Sequence, residues 1–270
     1  MQKQTNFSEI KNCDKIWAIG SIHSRFESFN SIKKYLLDNF KKEDYLIFLG
    51  NIIGLGSKSK ETLSSVIDLR NKLMGKLQLN PNRIIFLRGA QEEMFLKLLQ
   101  LQTAPNPSDI VSWMFDHGVD ATLSSYGFDK DKTINISTQG ALIISKFTSN
   151  INNILSKEPG HKQYFANLKH AAFSKTKKIL FVNRGVDVSR PLSAQNDCFW
   201  WGYQNFSNIN QPYKTFIRIV RGYKSSENNQ LENSKNRVVC SLFHKPLNSS
   251  KIIAGIFNDS GEIIDIFESK

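Results

Sequence analysis

A chain of 270 residues, 40% hydrophobic and 22% charged, is long enough to bury one large core and has the composition of a globular protein rather than a disordered or fibrous one. Its three cysteines, Cys13, Cys198 and Cys240, are far apart and lack any Cys-x-x-Cys spacing, which argues against a zinc knuckle or a disulfide framework. A formal charge of +12 suits anionic partners, but the basic residues are scattered, with only short clusters such as Lys175, Lys177 and Lys178, so a nucleic-acid partner is not expected.

Residues 1–14 are polar and of mixed charge, without the apolar core of a secretory signal. No run approaches the roughly 18 apolar residues of a spanning helix. A cytoplasmic protein with no membrane partner is expected, organised as an N-terminal segment (1–14) and one domain (15–270).

In chain order, residues 15–20 read as a buried strand closed by Gly20, and 26–39 show helical spacing at Phe29, Ile32, Leu36 and Leu37. A second strand at 45–50 closes on Gly50, and a second helix spans 61–76. A third strand, 83–89, closes on Gly89, and a third helix covers 91–102. Strand, glycine turn and helix, three times over, predict parallel βαβ units with right-handed crossovers. The three turns then gather at the carboxyl ends of the strands, where such sheets place their ligand sites.

A helical insertion is expected over about 103–175, with helices at 110–126 (carrying Trp113) and 158–173. Strands follow at 179–182, 215–220, 237–242, 251–257 and 262–268; the last two flank the hairpin turn Asn258-Asp259-Ser260-Gly261. A mobile loop is expected over about 223–235.

The glycine turns carry a resemblance. They read Gly20-Ser21-Ile22-His23-Ser24, Gly50-Asn51-Ile52-Ile53-Gly54-Leu55-Gly56 and Gly89-Ala90-Gln91-Glu92. They resemble the Gly-Asp-x-His-Gly, Gly-Asp-x-x-Asp-Arg-Gly and Gly-Asn-His-Glu motifs of calcineurin-like metallophosphoesterases, in the bacterial protein-phosphatase and diadenosine-tetraphosphatase-like branch. Downstream, Trp113 with Ala121-Thr122-Leu123-Ser124-Ser125-Tyr126-Gly127 is similar to the family's Trp…Thr-Leu-x-Ser-Tyr-Gly. Phe181-Val182-Asn183-Arg184-Gly185-Val186 resembles Phe-Val-His-Ala-Gly-Ile. Ile219-Val220-Arg221-Gly222-Tyr223 resembles Val-Val-His-Gly-His, and Asn236-Arg237-Val238 an Asn-Arg-Ile strand. The resemblance implies an α/β sandwich of two mixed β-sheets packed face to face and flanked by helices.

Family members hold two divalent cations that activate water and clamp phosphoryl oxygens, on carboxylate and imidazole ligands. The resemblance places Ser21 and Asn51 at aspartate positions, Ala90 at an asparagine, Asn183 and Tyr223 at histidines, and Gln91 at the catalytic histidine. His23 alone keeps a ligand-type side chain. Leu55 stands at a phosphate-gripping arginine and Gly54 at the aspartate that orients the catalytic histidine, while Glu92 is retained as a helix cap. Losing even a ligand's supporting partner typically lowers metal affinity about 10- to 100-fold. Five ligand losses at no less than that remove roughly 7–14 kcal/mol, if they add, about the whole worth of a structural metal site.

The expectation is therefore a degenerate phosphoesterase with no catalytic residues and no cofactor, whose vestigial cleft comprises Ser21, His23, Asn51, Gln91, Glu92, Asn183 and Tyr223. Arg184, Arg221 and Lys224 are candidate anion-binding residues, and a phosphorylated small molecule or protein the expected partner. The alternative is an active phosphoesterase with an altered Mn2+, Fe or Zn site.

Overall fold

The computed structural model describes residues 6–202, 206–223, 238–243 and 250–270. Four-residue apolar runs ending in glycine are too short for helices and too apolar for a solvated strand, and each is a strand buried on both faces. They are β2 (Ile16–Ile19), β3 (Tyr45–Phe48) and, one residue shorter, β4 (Ile84–Phe86), following β1 (Phe7–Ile10). Between them run α1 (Phe26–Asn39) and α2 (Ser59–Leu77), and after β4 comes α3 (Ala90–Leu98). A helical run follows: α4 (Pro107–Asp116), α5 (Val119–Ser125), α6 (Lys130–Ser137), α7 (Ala141–Lys157) and α8 (His161–Ala166). The chain closes with β5 (Ala171–Ser174), β6 (Ile179–Val182), α9 (Cys198–Trp201), β7 (Arg218–Arg221), β8 (Val239–Ser241), β9 (Ile253–Phe257) and β10 (Ile263–Glu268).

Two mixed five-stranded sheets result, ordered β10-β9-β2-β3-β4 and β1-β5-β6-β7-β8. β2, β3 and β4 are parallel, with Ile19 opposite Phe48, and β9 runs antiparallel to β2. Because side chains alternate across a strand, Ile16, Ala18, Ile47 and Ile85 face the other sheet, with Phe257 of their own, and meet Ala172, Phe181 and Val220. Trp17, Ile19, Phe48 and Phe86 face outward under the helices with Phe29, Leu63 and Phe95. The outer face of the second sheet is covered more thinly, by α9 and the aromatic residues Phe206, Tyr213 and Phe216.

Several expectations are revised. Within the segment 1–14, residues 7–10 form β1, which pairs in parallel with β5 as an edge strand. The predicted helix 110–126 is two helices broken at Gly118, whose φ of 90° is the left-handed conformation glycine tolerates. The predicted helix 158–173 is only α8; the chain then turns into β5, so the helical insertion ends before residue 171. Helices α6 and α7 fall within the expected helical insertion but are not individually placed by the sequence, although Ile144, Phe147, Ile151 and Leu155 lie on one buried face of α7. Apart from Tyr223, the predicted loop 223–235 lies outside the described residues, as do Lys224, Asn236 and Arg237. Among the described residues, no helix is long and apolar enough to cross a membrane.

Candidate functional site

The carboxyl ends of β2 and β3 in one sheet, and of β6 and β7 in the other, converge on one backbone junction. Ser21 N–H donates to Gly222 O at 3.0 Å, and Ile22 and His23 N–H both reach Asn51 O, at 3.0 and 2.8 Å. Gly222 and Tyr223 N–H both donate to Asn183 O at 2.9 Å. The glycines are what permit this closeness. A Cβ on Gly89 would lie 2.4 Å from Asn51 Oδ1, and one on Gly20 would lie 1.9 Å from Leu242 O. Asn51 itself sits at φ 55°, one of the few side chains that tolerate the left-handed region.

Asn51 is the centre of the polar cluster. Its Oδ1 accepts Gln91 N–H at 3.0 Å, and its Nδ2 donates to Ser21 Oγ at 3.2 Å and to Asn183 Oδ1 at 3.5 Å. Asn183 Nδ2 in turn donates to Leu49 O at 2.6 Å. Ser21, Asn51, Gln91 and Asn183 are all buried, so four of the expected cleft residues form one hydrogen-bonded group.

Glu92 lies beneath them with both oxygens engaged by donors. Oε2 accepts Asn51 N–H at 2.7 Å and Gly89 N–H at 3.0 Å; Oε1 accepts Ile52 N–H at 2.8 Å, Ile53 N–H at 3.4 Å and the Tyr164 hydroxyl at 3.1 Å. It thus ties the turn after β3 to the start of α3, a wider role than helix capping. Burial raises its pKa, while the Asn51 and Ile52 N–H donors pull it down. Tyr164, on α8, is a partner that nothing in the sequence pattern signalled.

His23 occupies a left-handed backbone position (φ 48°), and neither ring nitrogen has a hydrogen-bond partner among the described residues. Burial, with Arg25 nearby, pushes its pKa down to about 3 against a weak opposing pull from the Ile53 backbone. Its ring packs edge-on against Tyr223 at 5.6 Å and Phe243 at 6.3 Å. Arg25 braces the same turn, donating to Ser21 O, Ile22 O and Lys251 O; burial brings its pKa down to about 10. Sequence reasoning did not single out Arg25.

The candidate anion-binding residues separate. Arg184 is half-buried with its guanidinium 5.2 Å from the Tyr223 ring centroid, and burial lowers its pKa. Among the described residues no carboxylate pairs with it. Arg221 shares the outer sheet face of Ile219, where it stacks on Phe206 at 4.2 Å and donates to Ser241 Oγ at 2.7 Å and Ser207 Oγ at 3.2 Å. Strand alternation carries the Arg221 side chain into the aromatic layer. Lys224 falls outside the described residues.

A third group closes the side nearest α4 and α5. Gln91 Nε2 donates to His117 O at 2.8 Å, and its Oε1 is buried without a partner. Gly54, at φ 88°, leaves room for this side chain, since a Cβ there would lie 2.1 Å from Gln91 Oε1. Leu55 N–H donates to Gly118 O at 3.3 Å, and the exposed Leu55 side chain lies against Gly118.

The donor chemistry does not fit a pair of divalent cations. No group of three or more His, Cys, Asp or Glu side chains among the described residues is arranged to hold a metal. The carboxylate beneath the cluster, Glu92, is engaged by backbone N–H groups, and the Asn51 amide directs its N–H donors at Ser21 Oγ and Asn183 Oδ1. Such ions require anionic oxygens and neutral imidazoles.

No protein-family model matches the chain, and no curated protein does. Solved structures do. A protein assigned as a diadenosine tetraphosphatase aligns over 98% of this chain and 99% of its own, with a TM-score of 0.52 at 14% identity. A serine/threonine phosphatase from Saccharomyces cerevisiae aligns over 99% and 84%, with a TM-score of 0.52 at 16% identity. A cold-active protein-tyrosine phosphatase from a psychrophilic Shewanella species aligns over 97% and 82%, with a TM-score of 0.51 at 12% identity. The fold, two mixed sheets packed face to face and flanked by helices, is one that these solved phosphatases share over nearly all of this chain.

Proposed function

We propose that this chain is a degenerate metallophosphoesterase that acts by binding, without dinuclear metal catalysis, and that its ligand is a phosphorylated small molecule or protein segment held at the rim of the old cleft. The observation that supports this most directly is the Asn51 cluster, where hydroxyl and amide groups satisfy one another and present N–H donors in place of anionic ligands. Arg184 supplies the complementary charge: a guanidinium with no carboxylate partner among the described residues, anchored on Tyr223, binds phosphate oxygens through two parallel N–H bonds. Lys224, next in the chain to Tyr223, is the proposed second cation.

The experiment is the manganese content of the purified chain after expression and dialysis with Mn2+, read by mass spectrometry and followed by phosphate titration. Near-zero metal, with orthophosphate binding that weakens about tenfold in Arg184→Ala, is expected. Two ions per chain, or phosphomonoester turnover that depends on Mn2+, overturns the reading in favour of an active phosphoesterase. That second reading rests on His23, whose unpartnered imidazole is the one ligand-type group in the cluster.

A further inference from the structure

A second candidate site lies away from this cluster, at the edge of the first sheet. β4 is the terminal strand of its sheet. Leu87 N–H donates to Phe48 O at 2.9 Å, so by strand alternation the backbone groups of residues 85 and 87 point toward β3 and those of 84 and 86 point away. On that outer side, Phe86 O accepts Lys169 N–H at 2.8 Å and Lys169 O accepts Arg88 N–H at 2.7 Å, a single parallel bridge. The Ile84 N–H turns back to Pro81 O. Among the described residues, Ile84 C=O and Phe86 N–H have no partner, and both belong to residues lining a cavity of about 520 Å3.

This volume lies within the range of roughly 300–1,000 Å3 typical of ligand sites. The cavity walls are the β4 edge, Ile67 and Arg70 of α2, and Gln163 and Asn167 at the end of α8. Among the described residues, no acidic side chain lines it and Arg70 has no ion pair. A row of unpaired strand groups is a template for an added strand, and extended peptides use such edges with backbone bonds for affinity and flanking pockets for choice. One residue of an incoming parallel strand satisfies both open groups at once, its N–H donating to Ile84 O and its C=O accepting Phe86 N–H, continuing the ladder that Lys169 begins.

We propose that the β4 edge is a docking groove for an extended, acidic peptide segment of a partner protein, bound as an added strand with a carboxylate on Arg70. The proposal stands independently of the Asn51 cluster.

The test uses the 15N-labelled full chain titrated with the pentapeptide acetyl-Glu-Val-Glu-Val-Glu-amide. The Phe86 amide is expected to shift and to exchange at least tenfold more slowly at saturation. The lysine counterpart of the peptide is expected to leave it unmoved. Arg70 sits on the partly exposed side of α2, and Arg70→Glu, with its helical spectrum unchanged, should weaken binding at least tenfold. Methylating the central peptide nitrogen should do the same. Unaltered Phe86 exchange, an equal response to the lysine peptide, or undiminished binding by Arg70→Glu overturns the proposal. Phe86 protection that rises with protein concentration in the absence of peptide also overturns it, by assigning the edge to a second copy of the chain.

Discussion

Glu92→Ala tests whether the buried carboxylate holds the two glycine turns together. Glu92 is fully buried and accepts backbone N–H groups of Asn51, Ile52 and Gly89 at 2.7, 2.8 and 3.0 Å, with the Tyr164 hydroxyl at 3.1 Å. Truncation leaves these donors in an apolar surround, and each orphaned donor costs about 1–3 kcal/mol. Part of this is offset because a buried carboxylate, whose pKa burial has raised, is itself removed. The net loss should be about 3–5 kcal/mol, as for breaking a buried charged pair. In a chain of this length that is a fall in Tm of roughly 6–20 °C. Urea titration followed by circular dichroism measures it directly. Glu92→Gln should lie between, since its amide offers one acceptor and turns two N–H groups toward other donors. A loss below about 1 kcal/mol for Glu92→Ala, or a Gln variant as stable as the parent, would refute the assignment.

Two further predictions concern the same junction. The folded pKa of His23, about 3, lies below the unfolded value of about 6.5. The unfolded chain therefore takes up more protons between these values, so stability is full above about pH 6.5 and falls by about 1.4 kcal/mol per unit on acidification toward 3. His23→Phe should remove that slope and, by deleting two unpartnered nitrogens, add about 1 kcal/mol at pH 7; urea midpoints at pH 7 and 5 decide, and an unchanged slope counts against it. Gly54→Ala forces a Cβ to 2.1 Å from Gln91 Oε1 at φ 88°. The variant should lose about 2 kcal/mol, and Gln91→Ala should recover about 1 kcal/mol of that in the double-mutant cycle, whereas strict additivity would mean that the two side chains do not meet.

How much was legible in the sequence follows from how local each cause is. Gly20, Gly50 and Gly89 punctuate short apolar runs, and the close approach that demands glycine there is a property of the turn, visible in the pattern. β1 was missed because four residues at a sheet edge, partly exposed, carry little periodic signal and owe their conformation to pairing with β5, more than 160 residues away. The run from Gln163 to Phe173 shows apolar residues at helical spacing, but Asn167 ends the helix and Ala171 enters a sheet, so packing overrode periodicity. At the site, Ser21, Asn51, Gln91 and Asn183 were legible as neighbours because four strands deliver them to one end. Which of them bonds to which was not, nor was the burial of Arg221. That side chain follows the alternation of β7 onto the face of Phe206, and the identity of that face depends on a layer contributed by distant chain.

The last question is whether the Asn51 cluster is one substitution away from a metal site or chemically committed to neutrality. Asn51→Asp is the informative change, because it introduces the single anionic oxygen pair that a bridging ligand requires. One oxygen keeps the Gln91 N–H at 3.0 Å. The other replaces a donor and faces Ser21 Oγ at 3.2 Å, which rotates to donate, and Asn183 Oδ1 at 3.5 Å, which repels it. With the site buried and the Glu92 carboxylate already bonded to the Asn51 N–H, the variant should lose about 3 kcal/mol and titrate above an ordinary aspartate. If the neighbouring amides are as poor ligands as their chemistry indicates, adding Mn2+ should restore less than about 0.5 kcal/mol. A site that bound the ion with a dissociation constant one hundredth of its concentration would instead restore about 2.7 kcal/mol. Urea titrations of the variant with and without Mn2+ separate the two. Full recovery would mean that the cluster has the geometry of a metal centre and lacks only charge; its absence would mean that the hydrogen bonds among Ser21, Asn51, Gln91 and Asn183 hold this junction in a form that no ion fits.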